Sequence, residues 1–296
     1  MSATGVVTVA IPDHLRRARG RERRAVMDRA MQLATVSCTI VAVVPLVAVL
    51  AFITINGISA LSIDLLTRPP KATGVGGGAV TAIAGSIQMV GLATVIAVPV
   101  GLMAGIYVSE FAGRRAGSVV RFCADVLVGI PSILVGVFVF TFLVLPFRQY
   151  NAFAGSVALA VIMVPVIMRT TEEILRLVPG DLREASLALG VRRWRTVISI
   201  AVRAGWPGIL TGIMLAVARA AGETAPLIMT TLGSRLLNIG DFSRPMDALP
   251  LFIYNNARQP YPLLNQQAWG AAFLLLLAVL TINILVRVRS LRGTSG

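Results

Sequence analysis

The chain has 296 residues, of which 56% are apolar and only 14% charged, with a mean hydropathy of +0.82. Ordinary soluble domains carry about 25% charged residues, so this composition excludes a free soluble globule and makes lipid the natural solvent for the excess apolar surface. The net charge of +14 does not mark a nucleic-acid-binding face, because the basic residues alternate with apolar runs instead of gathering on one polar segment.

Residues 1–30 form a basic tail that holds Arg16, Arg17, Arg19, Arg21, Arg23, Arg24 and Arg29 and the chain's one histidine, His14, so no His-based catalytic centre is available. The tail is expected in the cytoplasm, with anionic lipid headgroups as its contacts. No cleavable signal peptide is expected: the first apolar run begins near Met31, is too long for an h-region and follows the basic tail. Crossing a hydrocarbon core of about 30 Å takes roughly 20 apolar residues. Runs of that kind lie at 31–55, 82–108, 121–145, 152–171, 206–231 and 268–286. The predicted fold is therefore an all-α integral membrane protein of six spans, with a transmembrane domain over 31–290 and no soluble domain. Cys38 and Cys123 fall in or beside these runs without metal-ligand spacing, and read as buried free thiols.

Arginine placement orients the spans. Besides the tail, one set of connecting segments holds Arg114, Arg115, Arg121, Arg176, Arg183, Arg192, Arg193, Arg195, Arg203, Arg287, Arg289 and Arg292. The other set holds Arg68, Lys71, Arg148, Arg235, Arg244 and Arg258, and Arg169 and Arg219 lie within apolar runs. Nineteen against six puts both termini in the cytoplasm. Two outside loops are long. Residues 56–81 contain Gly76-Gly77-Gly78, which lacks the Lys-Ser/Thr of a phosphate-cradling P-loop and reads as a flexible lead into the second span. Residues 232–267 contain a short apolar piece around Leu249–Tyr254. Most glycines and prolines inside the spans suit bundle packing, and Pro131 in Gly129-Ile130-Pro131-Ser132 suits a hinge or pore-facing break.

The inside loop at 172–205 carries its own structure. Pro179-Gly180-Asp181 makes a turn whose Asp181 is placed to cap a helix, and Leu182 to about Arg195 reads as a short amphipathic helix interrupted at Gly190. Such a helix either lies in the membrane interface or docks a cytoplasmic partner.

Glu184-Ala185-Ser186, three residues, Gly190, nine residues and Ile200 resemble the EAA loop of ABC-importer permeases. The motif of that family ends in Leu-Pro, where this chain has Val202-Arg203. The resemblance implies a type I importer permease fold in which Glu184, Ala185 and Gly190 belong to a coupling helix that fits a groove on an ATPase subunit. Further segments resemble the PstA-type permease subunit of phosphate importers: Gly76-Gly77-Gly78, Gly129-Ile130-Pro131-Ser132, Arg169-Thr170-Thr171-Glu172-Glu173, Arg219-Ala220-Ala221-Gly222-Glu223-Thr224-Ala225-Pro226 and Tyr254-Asn255. This similarity spans about residues 75–290. It implies a PstC-type second permease, a PstB-type ATPase pair that binds ATP with magnesium, and a PstS-type external phosphate-binding protein. The chain itself has no P-loop lysine motif and is not expected to hydrolyse ATP or to bind a metal or nucleic acid.

Charges inside apolar runs supply the candidate path. An ion in hydrocarbon costs at least about 2.5–3.5 kcal/mol and should face protein or water. Arg219 and Glu223 are four residues apart on one helical face. They are either an internal ion pair that orients the helix, or a substrate site. In the second reading the Arg219 fork meets oxyanion oxygens, Glu223 holds the empty arginine or takes a hydrogen bond from the ligand, and Thr224 adds a hydroxyl. Arg169, at the inner end of the fourth span, is a positive-inside anchor by default, and the resemblance implies a place for it in the inner exit path. A permease for sulfate, molybdate or another oxyanion and a proton-coupled anion carrier are the remaining transport readings. A membrane phosphotransferase would need a carboxylate cluster or a nucleophilic histidine that the sequence lacks.

Overall fold

The computed structural model describes residues 13–71 and 76–292, and every named element among them is a helix. The basic tail through residue 12, with the lipid contact expected of it, lies outside the described residues. The chain divides into two compact units after Thr54. The first unit is carried by helix α1 (Asp13–Ala60) up to that point, with its side chains from Val26 to Phe52 exposed.

The second unit starts with α2 (Ile63–Thr67), capped by Ser62 Oγ, which accepts from the Leu65 N–H at 3.1 Å. Helix α3 (Val80–Ile106) continues as a π turn to Phe111. Next come α4 (Arg114–Gly129) and α5 (Ser132–Val139), the latter extended by a π turn to Val144. Helix α6 (Ala152–Leu177) begins at Asn151, whose Oδ1 accepts from the Ala154 N–H at 2.7 Å. The short helices α7 (Gly180–Ala188) and α8 (Arg193–Thr196) follow, and α8 runs through a π turn (Val197–Val202) into α9 (Arg203–Ala221). The chain closes with α10 (Ala225–Thr230), α11 (Leu249–Ala257) and α12 (Pro262–Arg292).

Among the described residues five helices are long and apolar enough to cross a membrane, or six where α4 and α5, bent by 101° at the break between them, are counted as one broken span. The expected third span at 121–145 is therefore two helices, broken at Ile130-Pro131. Proline has no N–H to give and disfavours helix at the residue before it, so a sharp bend there follows from local chemistry. The expected fifth span at 206–231 is corrected at both ends. Its helix begins at Arg193, and it breaks at Gly222-Glu223-Thr224 before resuming as α10.

Helix α6 is the axle, with 67% of its apolar stretch buried inside the protein. Lipid is as apolar as leucine, so what holds these helices is close packing rather than escape from water. Small residues provide it. A Cβ at Gly105 would lie 2.7 Å from both the Met168 carbonyl and Thr171 Cβ, and one at Gly212 would overlap the Thr170 hydroxyl. Gly208 faces Ile174 in the same antiparallel register of α9 on α6. The core joins Met89 and Ala93 of α3, Leu159, Met163 and Ile167 of α6, and Ile209 and Ile213 of α9.

Three smaller expectations change. Cys38 and Cys123 are free, but exposed and not buried, because lipid-facing helix surfaces accept small apolar side chains. The Gly76–Gly78 run is a packed turn and not a flexible lead. Gly77 pairs with Pro70, its carbonyl accepts from Gln267 Nε2 at 2.9 Å, and Gly76 and Gly77 sit at φ +87° and +118°. Pro179, not Asp181, occupies the N-cap of α7, and Asp181 lies in the first turn.

The Gly212 contact carries a prediction. Gly212→Leu forces α9 off α6 and should destabilise the detergent-solubilised protein by about 1–3 kcal/mol. The measurement is a lower melting temperature of the monodisperse chromatographic peak; an unchanged value contradicts the packing.

Candidate functional site

Seven residues beyond Gly212, Arg219 comes level with about residue 163 of α6 in that antiparallel register, near the middle of a helix of 26 residues and about 39 Å. The arginine lies in the last turn of α9, and Glu223 follows in the break. Arg219 Nε and Glu223 Oε1 are 3.7 Å apart, with side chains 46% and 16% exposed. The two are paired, but not on one continuous helical face, and the distance exceeds that of a hydrogen bond. The guanidinium is thus held by Glu223 only loosely. Thr224 stands at the start of α10, and its hydroxyl makes no hydrogen bond among the described residues. Arg219, Glu223 and Thr224 thus come together at mid-depth at a helix break, where the Gly222 and Glu223 N–H groups turn back to the Arg219 and Ala220 carbonyls. The second halves of both broken crossings pack on each other: a Cβ at Gly136 of α5 would lie 2.7 Å from the Pro226 Cα of α10.

Arg169 is not at this place. It lies toward the C-terminal end of α6, in an ion cluster centred on Glu172, which is 1% exposed. Arg121 Nε and Arg176 Nη2 each reach Glu172 Oε1 at 2.6 Å, and Arg169 Nη1 lies 3.4 Å from Oε2. Arg169 Nη2 also meets Asp125 Oδ1 at 2.9 Å. The cluster ties α4 to α6 at the end away from the Arg219 break. The pairing of Glu172 with Arg169 and Arg176 is legible from spacing on one helix. Arg121 and Asp125, 51 and 44 residues away along the chain, carry no such periodic signal. Thr170 Oγ1 bonds back to the Val166 carbonyl at 2.9 Å, whereas Thr171 Oγ1 is buried without a partner.

The loop after α6 folds back under the bundle. Arg183 of α7 donates through Nη2 to Glu110 Oε1 at 2.8 Å and to the Leu175 carbonyl at 2.6 Å, and through Nη1 to the Val178 carbonyl at 2.8 Å. Arg193 Nη2 donates to the Glu110 carbonyl, and its guanidinium stacks 5.4 Å from the Phe111 ring centroid. The last turn of α3, the end of α6 and the start of the α8–α9 helix are thereby clamped to α7. Ser186 and Thr196 close the loop with a buried hydroxyl pair at 2.9 Å. Gly190 sits at φ +77°, a conformation that suits glycine alone, and divides the expected single helix of 182–195 into α7 and α8. The outer side of the loop is bare: Glu184, Ala185 and Gly190 are exposed, as are Leu182, Leu189 and Trp194. Glu110 is the residue that sequence spacing did not single out. A carboxylate one turn from the end of an apolar span was the available signal.

The family model for inner-membrane components of binding-protein-dependent transport systems matches residues 97–289. The chain belongs to that family. It is 46% identical over 237 residues to the phosphate transport system permease protein PstA of Yersinia pestis, covering 79% of each chain. It is 43% identical over 235 residues to the corresponding protein of Haemophilus influenzae, covering 79% of this chain and 83% of the relative. The expected PstA-type kinship holds. Among solved structures, a bacterial ABC transporter involved in alginate import superposes with a TM-score of 0.58 at 15% identity, covering 93% of this chain and 99% of that one. That likeness establishes the type I permease fold.

The ion cluster of this permease makes a prediction. Glu172→Leu leaves Arg121 and Arg176 facing each other without their shared anion, and should cost about 3 kcal/mol, less whatever water screens at their half-exposed tips. Glu172→Asp should fall between. Thermal unfolding of the three proteins in one detergent checks the order; equal melting temperatures contradict a structural role for the cluster.

Proposed function

We propose that the chain is the permease subunit of an ATP-driven importer that carries inorganic phosphate into the cell, with both termini in the cytoplasm. The kinship to PstA proteins supports phosphate as the cargo. The arginine distribution supports the orientation. The observation that carries the mechanism is the continuity of one helix: the segment that starts at Arg193, beside the coupling helix, ends at the mid-depth break holding Arg219 and Glu223.

The chain supplies no ATPase of its own in this reading. ATP, with magnesium, is hydrolysed by a pair of partner subunits docked on the exposed face of Leu182, Glu184, Ala185, Leu189 and Gly190. A second, related permease completes the path, and an external binding protein delivers phosphate to the outer loops. Closure of the ATPases pushes α7, and the Arg183–Glu110 and Arg193–Glu110 contacts pass the push to α3, α6 and α9. The crossings rock, and the break at Gly222–Thr224 is presented first to the outside and then to the inside.

At the break the roles follow from charge. The Arg219 fork offers paired donors to phosphate oxygens. Glu223 balances the arginine while the site is empty and accepts a hydrogen bond from a protonated phosphate oxygen when it is filled. Thr224 adds a neutral donor. A site whose charge is compensated from within binds weakly enough to release, as transport requires. Arg169 belongs to the inner exit through its hold on Asp125 and Glu172, where it stabilises the closed packing of α4 on α6.

Phosphate uptake by reconstituted importer tests the proposal. Arg219→Gln should lower uptake by about tenfold or more while the ATPase subunits still co-purify. Normal uptake by a normally assembled variant contradicts the role. Competition by sulfate or molybdate equal to that by phosphate would instead assign the machinery to another oxyanion.

A further inference from the structure

The end of the bundle opposite the coupling helix holds a cleft of about 330 Å³, formed where the turns at 70–71 and 232–235, the end of α11 and the start of α12 converge. It sits beyond the outer end of the α9–α10 crossing, on the side away from the Glu172 cluster. The loop that shapes it is fixed, not loose. Thr231 Oγ1 donates to the Met246 carbonyl at 2.7 Å and accepts from the Met246 N–H at 2.9 Å. Ser86 accepts from the Leu249 N–H at 2.7 Å, and Gln88 bonds to Asn238 and Gly240.

The lining chemistry is that of an anion site with one addition. Lys71 and Arg235 stand at its rim, and neither has an ion-pair partner among the described residues. Leu232 and Gly233 lie at φ +58° and +86°, and the N–H groups of Gly233, Ser234 and Arg235 meet no acceptor among the described residues. Successive unmet N–H groups in such a turn form a concavity suited to an anion. The addition is Asp247, which lines the cleft at 8% exposure, as does Gln267, and whose carboxylate lies against Gly233. Its Oδ1 accepts from the Ala248 N–H at 2.9 Å, and no cation among the described residues pairs with it. Burial pushes this carboxyl up to about 7.

We propose that this cleft is an external waiting site for a tetrahedral oxyanion that carries a titratable proton, hydrogen phosphate, ahead of the mid-depth arginine. The choice of phosphate rests on the reading of the chain as a phosphate-importer subunit; the anion-binding chemistry rests on the cleft alone. Lys71, Arg235 and the turn N–H groups hold the oxygens, and Asp247 accepts a hydrogen bond from the phosphate's P–OH, which keeps its proton. Sulfate has no proton to share at neutral pH. A lipid headgroup offers the same tetrahedral phosphorus, but as a diester without that proton.

The experiment uses the assembled importer in nanodiscs without its external binding protein and reads equilibrium binding of labelled inorganic phosphate. Wild type and Arg219→Gln should both bind, and the Lys71→Gln/Arg235→Gln variant should bind about tenfold more weakly or worse. Unlabelled sulfate should displace phosphate poorly from wild type and well from Asp247→Asn, and dimethyl phosphate should displace it from neither. No binding by wild type, loss of binding in Arg219→Gln alone, or full affinity in the rim variant overturns the proposal. Effective competition by dimethyl phosphate in the wild type also overturns it, by making the cleft a headgroup site. An importer that takes up phosphate while its rim variant binds normally removes the cleft and leaves the transport reading intact. An importer that takes up no phosphate removes the transport reading itself.

Discussion

An ion held in hydrocarbon must be answered by protein or by water, and the interior of this permease is arranged around that constraint. Arg219 reaches mid-depth on a helix that stops two residues later, and the residue that answers it sits in the break. A continuous helix would have placed the same pair on one face with every backbone group satisfied. Breaking the helix there takes Glu223 off the helical face and leaves it beside the arginine in the gap between α9 and α10. The second break, at Ile130-Pro131, puts α5 against α10 and so supports the resumed half of the same crossing.

The same constraint explains the inner end. Glu172 is all but fully buried, and a buried carboxylate is tolerable only when fully partnered. Three arginines from two helices meet it, so α4 and α6 are held by charge where glycine packing gives way. Nearby, Glu110 and Arg183 make a second, smaller joint between the end of α3 and α7. Force applied at α7 therefore has two stiff routes upward: through Glu110 into α3, and through the unbroken run from Arg193 into α9. Both reach the α3–α6–α9 core, and the second ends at Arg219.

Much of this was legible in the sequence. Apolar run length located the crossings, the arginines suggested their direction, and Pro131 marked a real break. The structured loop after α6 was legible as a short helix interrupted at Gly190, which proved to be the point that divides α7 from α8. What escaped had physical causes. The Gly222–Thr224 break leaves no proline signal, since Pro226 sits inside the resumed helix, where proline fits its first turn. Pairings such as Arg121 with Glu172 join residues far apart in the chain and follow no period. The thiols of Cys38 and Cys123 were misplaced because apolarity, which means burial in water, means only exposure to lipid here. The outer cleft joins two turns and two helix ends whose polar residues look like ordinary solvent-facing ones until Asp247 and Gln267 are seen buried in its lining.

The central claim is that the break at Gly222–Thr224 changes sides when the coupling helix is driven. A single cysteine at Ala221, with Cys38 and Cys123 replaced by alanine, reports this directly in the reconstituted importer through its reaction with a membrane-impermeant thiol reagent. In the resting complex the thiol should react from the cytoplasmic side only. With a non-hydrolysable ATP analogue and the external binding protein present, it should react from the outside only. Reactivity from the same side in both states, or from neither, would contradict the account.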